Sequence, residues 1–152
     1  MESISVTVCD EKWAGTDGDV ILRFQTKSNA VSTSGDNDNF TQTCRTGILD
    51  TKYSDWVNMN DFERGITQVW KGKFLAECGS STFGPTKDLE VLVDVGSTFG
   101  WTNKVKICKI VVSFEMHLNS TGIKSSKIDW QWTGAKWFDE STQADWLKMD
   151  KV

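Results

Sequence analysis

Oxygen-bearing side chains gather in two short stretches of the sequence. Asp17 and Asp19 follow the Gly15-Thr16 pair, and Asn60, Asp61 and Glu63 lie close together further along. Such groups suit a hard divalent cation, because calcium takes about six to eight oxygen ligands from carboxylates and carbonyls. The same residue types also close tight turns through Asx hydrogen bonds, and the sequence leaves both uses open. The D-x-[DN]-x-[DN]-G pattern of an EF-hand is not matched. Zinc is not expected, since His117 is the only histidine and the four cysteines are far apart in sequence.

Catalysis finds little support. A nucleophile needs a base within reach, and His117 falls on the polar face of a strand with Lys109, Ser113 and Glu115. Neither a Gly-x-Ser-x-Gly elbow nor a phosphate loop occurs. The chain is therefore expected to bind rather than to catalyse. Nucleic acid is not an expected partner, because the net charge is −4 and the seventeen Lys and Arg are scattered.

Cys9, Cys44, Cys78 and Cys108 are an even set in a strand-rich chain, which suits two disulfides. Three pairings remain open. Disulfides persist in oxidising compartments, so a secreted protein is expected. Met1-Glu-Ser-Ile-Ser-Val has neither the basic nor the apolar region of a signal peptide. That start fits a cytosolic protein, or a mature secreted form with an added methionine, and the cysteines favour the second. The sequons at Asn39 and Asn119 are compatible with glycosylation but add little.

The elements that would position these residues are strands. Apolar residues alternate in Ile4–Val8, Val20–Phe24, Leu89–Val95 and the long run from Lys106 to Leu118, where the even positions are expected to face inward. Trp70–Ala76 is a weaker match, and Ile128–Trp132 reads as a last strand. Gly, Ser, Thr, Asn and Asp fill the intervening stretches over 14–19, 32–38, 79–85 and 96–102. The long polar stretch from Lys27 to Asp55 reads as a loop, and Ala135–Lys151 as a short helix or irregular tail. Short strands, frequent turns and one proline predict a single all-β domain, an antiparallel sandwich of 152 residues.

Eight tryptophans are many for this length. Trp13 lies beside the first acidic turn and Trp56 just before the second, where an indole suits a membrane interface. Trp70 and Trp101 are assigned to packing. Trp130 and Trp132 share a strand face, as a cover for the sheet or as a platform for a sugar ring; the cover is favoured.

The run Trp13-Ala-Gly-Thr-Asp-Gly-Asp-Val-Ile-Leu22, directly after the first strand, resembles the opening of a PLAT (lipoxygenase homology, LH2) domain. Asn60-Asp61-Phe62-Glu63-Arg64-Gly65 resembles that family's ND-F-x-x-G turn, and Gly100-Trp101-Thr102 its Trp before the penultimate strand. The pieces keep family order from Trp13 to Phe114, with Trp146-Leu147 as a late counterpart. The four cysteines and the long polar loop depart from the general pattern and point to an extracellular single-domain type. The resemblance implies an eight-stranded PLAT/C2-like sandwich that binds a lipid surface. It also implies calcium held by Gly15, Thr16, Asp17, Asp19, Asn60, Asp61 and Glu63, with Trp13 beside it. An extracellular protein partner, suggested by the cysteines and the 27–55 stretch, and a carbohydrate on Trp130 and Trp132 are the alternative ligands.

Overall fold

The computed structural model describes residues 1–16, 19–29, 39–49, 62–71, 78, 83–85, 87–96, 103–116 and 126–152. Nine strands occur among them: β1 (Ser3–Val8), β2 (Val20–Asn29), β3 (Asn39–Arg45), β4 (Thr67–Lys71), β5 (Glu90–Val95), β6 (Val105–Met116), β7 (Ser126–Phe138), β8 (Leu147–Lys148) and β9 (Asp150–Lys151). One sheet has the order β4-β1-β6-β7-β9 and the other β3-β2-β5-β8. Every pairing is antiparallel. The chain is the all-β antiparallel sandwich that the alternation predicts, and the resemblance's eight strands compare with nine among the described residues. The additional pairings come from the tail, whose two-residue strands close onto β5 and β7.

Alternation becomes burial in a direct way. Ile4, Val6 and Val8 of β1 point inward, as do Val20, Leu22 and Phe24 of β2 and Val91, Val93 and Val95 of β5. Successive side chains of a strand face opposite sides, so each of these strands supplies every second residue to one core. Trp70 lies wholly inside and stacks on Phe62 at 5.4 Å, as the packing assignment expects. Phe74, Ala76 and Trp101 lie outside the described residues.

Three expectations are corrected. The 27–55 stretch is not one loop: β2 runs on to Asn29, and Asn39–Arg45 forms β3, which among the described residues is an edge strand paired with β2. An edge strand tolerates polar residues on its outer side, so its Asn-Phe-Thr-Gln-Thr-Cys-Arg sequence shows little apolar alternation. β7 is longer than Ile128–Trp132 and takes up Ala135–Phe138, because β6 pairs with it as far as Val105↔Phe138. The remainder of the tail is a 3₁₀ turn at Glu140–Thr142, capped by the Asp139 side chain, followed by β8 and β9.

The third correction concerns β6, where the even positions do not face inward throughout. Ile110, Val112 and Phe114 are buried, but so are Val105 and Ile107. The register against β1 shifts between Thr7↔Lys109 and Val8↔Ile107, leaving Cys108 as an extra residue on β6. Such a bulge re-aims the side chains that precede it. It turns Lys106 away from the core and toward the end of the sandwich.

Two disulfides form, Cys9–Cys108 and Cys44–Cys78, and they choose one of the three pairings left open by the sequence. The first joins the end of β1 to the bulge of β6. Both suit an oxidising compartment. No helix among the described residues is long and apolar enough to cross a membrane.

Candidate functional site

One end of the sandwich brings together the segment that leaves β1, the turn before β4, the entry to β6 and the end of β7. Backbone hydrogen bonds lock these segments to one another. Thr16 N–H donates to Phe62 C=O (3.1 Å), Gly65 N–H to Cys9 C=O (3.2 Å), and Lys106 N–H to Ala14 C=O (2.9 Å). Gly15 is required by space: a Cβ there would stand 2.8 Å from the Phe62 carbonyl oxygen and 3.2 Å from the Arg64 nitrogen. The Gly15-Thr16 and Phe62–Arg64 backbones therefore lie against each other.

The second turn is built from its own residues. Phe62 anchors it in the core against Trp70, and its N–H donates to the buried Gln68 Oε1 at 2.8 Å. Gly65 supplies φ 71°, a value that L side chains rarely adopt. Phe62 itself sits at φ 52° and is held there by that packing.

Trp13 is placed differently. Ala14 N–H donates to Glu11 C=O (3.1 Å) across a turn in which Trp13 is the third residue, with φ 68°. Glycine or asparagine is the usual occupant of such a position. The indole is 76 % exposed. Trp13 thus carries a backbone cost and an exposed apolar ring, neither of which serves the core.

Beside it lies a groove of about 700 Å³ bordered by Lys12, Trp13, Gly15, Thr16, Glu63, Arg64, Asn103, Lys104 and Trp137. Among the described residues cations dominate its lining, with Lys12, Arg64 and Lys104 set against the carboxylate of Glu63. Lys104 and Lys106 lie 4.9 and 5.7 Å from the Trp137 ring centre, and Lys12 lies 5.4 Å from that of Trp13. Lys106 and Trp137 face each other directly across the β6–β7 ladder. Glu11 pairs with Lys106, and Asp10 with Arg64 Nε at 2.9 Å. Asn103 donates to Gly96 C=O (3.0 Å), and Gly96 N–H donates to Asp19 C=O (2.7 Å), which ties this end to the start of β2. Just after β7, Asp139 accepts from the hydroxyl and backbone N–H of Ser141, and these bonds, with a smaller contribution from the Lys104 charge, hold its carboxyl below the usual range.

Of the expected calcium ligands, Gly15, Thr16 and Glu63 come together here, Asp19 stands at the start of β2, and Asp17, Asn60 and Asp61 lie outside the described residues. Among the described residues no three His, Cys, Asp or Glu side chains form a metal-holding group. Trp56, His117 and Asn119 are outside the described residues, and Asn39 opens β3. Trp130 is only 2 % exposed and Trp132 packs edge-on to Phe138 (6.2 Å), with its ring over Gly134. The pair is the cover that the sequence favours, and a flat sugar platform would need both rings at the surface.

Lys12, Arg64, Lys104, Lys106 and Trp137 were not expected as a group. They lie on four separate segments, and their only sequence signal is the local coincidence of Lys with Trp at 12–13 and 136–137. No protein-family model matches the chain, and no curated protein matches it.

Proposed function

We propose that this chain is a secreted, non-enzymatic binding module of the PLAT type, and that it engages a lipid membrane surface through the Trp13 end of its sandwich. The observation that carries the reading is Trp13 itself: an indole 76 % exposed, at a turn tip, in a left-handed backbone conformation. Such strain persists where the surroundings impose it and clusters at ligand-binding sites. An indole at a loop tip can sit among headgroups with its apolar ring inward and its N–H in the wet layer. The rigid base beneath it, made by the Cys9–Cys108 bond and the backbone bonds of the two turns, limits the entropy lost on docking.

Calcium belongs to this proposal as a bridge to the headgroups, with Gly15, Thr16 and Glu63 joined by Asp17, Asn60 and Asp61 as its ligands. Co-sedimentation with phosphatidylcholine and with phosphatidylserine-doped vesicles, in calcium and in EGTA, tests both parts. Binding that Trp13→Ala abolishes supports the membrane reading, and its loss in EGTA supports the ion. Failure to sediment with either vesicle in either buffer removes the reading and leaves an extracellular protein as the partner to seek.

A further inference from the structure

The groove has a charge opposite to that of the chain as a whole. The chain carries −4, whereas the described residues that border the groove carry three positive charges and one negative. Lys12 and Lys104 have no carboxylate within ion-pair distance among the described residues. Arg64 spends its Nε on Asp10, so its two terminal nitrogens, each with N–H donors, remain for a ligand. The indoles hold the ammonium groups near the groove, since a cation is attracted to the face of the ring. Three cations converging on an open groove, with guanidinium geometry among them, match an oxyanion with several acceptor oxygens.

We propose that this groove binds the phosphate of an anionic phospholipid headgroup, Arg64 and Lys104 taking the phosphate oxygens and Lys12 closing the rim. This assignment rests on the membrane reading, and depth is what connects them. An interfacial tryptophan settles at headgroup level, so a groove bordered by Trp13 reaches the membrane at the depth of its phosphates. Anionic headgroups then neutralise the groove without a metal ion, and phosphatidic acid, with its exposed monoester, is the best occupant.

The experiment uses the full chain in EGTA with vesicles of phosphatidylcholine alone and of phosphatidylcholine doped with phosphatidic acid. Wild type should bind the doped vesicles at least about tenfold more tightly, and salt should erode the difference. Lys104→Glu should lose about tenfold or more on doped vesicles with an unchanged melting temperature, because Lys104 is exposed, while Lys104→Arg keeps binding. In parallel, glycerol 3-phosphate is titrated while the Trp137 indole N–H resonance is followed. A saturable shift, absent in Lys104→Glu, supports the site without any membrane. Equal binding of both vesicle types, or Lys104→Glu binding like wild type, overturns the anion site and leaves the membrane reading standing. No binding to any vesicle together with a Trp137 shift overturns the headgroup and the membrane reading, but not the anion groove.

Discussion

Removing the Cys9–Cys108 bond should destabilise the fold more than removing Cys44–Cys78. The bonds close loops with sequence separations of 99 and 34 residues. In the chain-entropy description, the denatured chain loses about 2.1 + 1.5R ln n cal/mol/K on closure; because Cys44–Cys78 lies inside the longer loop and shortens it to about 65 residues, this gives about 4.3 kcal/mol for the outer bond and about 3.8 kcal/mol for the inner. The double variants Cys9→Ala/Cys108→Ala and Cys44→Ala/Cys78→Ala lose the same sulfur atoms, so much of the packing loss cancels and the loop length remains. The first should melt roughly 10–20 °C lower than wild type at this chain size. Urea unfolding followed by tryptophan fluorescence measures both, and each m-value should rise because the uncrosslinked chain exposes more surface. Local consequences should follow as well. Cys9 accepts from Gly65 N–H and donates to Lys106 C=O, so hydrogen exchange at those two amides should accelerate in the first variant. Should the Cys44/Cys78 variant prove the weaker by more than about 1 kcal/mol, loop closure in the unfolded chain would not be what these bonds supply.

Gly15→Ala should cost roughly 1–3 kcal/mol in urea, since its Cβ meets the Phe62 carbonyl oxygen and the Arg64 nitrogen, both backbone atoms that cannot swing aside. Gly84→Ala, with nothing within 4 Å of the added Cβ, is the near-neutral control. Trp13→Gly should be neutral or stabilising by up to about 1 kcal/mol, because glycine accepts φ 68° and little buried area is lost, yet vesicle binding should disappear. A large loss of stability would mean that the indole serves the fold. Asp139 has its pKa lowered by the Ser141 side-chain and backbone hydrogen bonds, so its contribution is present at neutral pH and is lost as pH falls through its folded value. Acid titration followed by melting should therefore show a shallower decline in Asp139→Asn than in wild type, and identical declines would show that the cap contributes nothing.

Much of the sandwich was legible because a half-buried strand must alternate, and β1, β2 and β5 print that period plainly. Gly15 and Gly65 were visible as residues, but the reasons for them, a carbonyl 2.8 Å away and φ 71°, belong to the fold. An edge strand such as β3 needs only one partner and leaves a faint pattern, so it passed for loop. The bulge at Cys108 inverts the phase of β6, and period alone cannot locate such an insertion because it depends on the register with β1. Cysteine pairing has the same character, since bond formation needs two Cβ atoms in one place and spacing does not report that. The groove is the extreme case. Lys12, Arg64, Lys104 and Trp137 are separated by dozens of residues, and only the return of β6 and β7 past the Trp13 turn gives them a common field. Local chemistry therefore determined the strands and turns, while the cationic groove came from long-range pairing, because charges act on one another through space rather than along the chain.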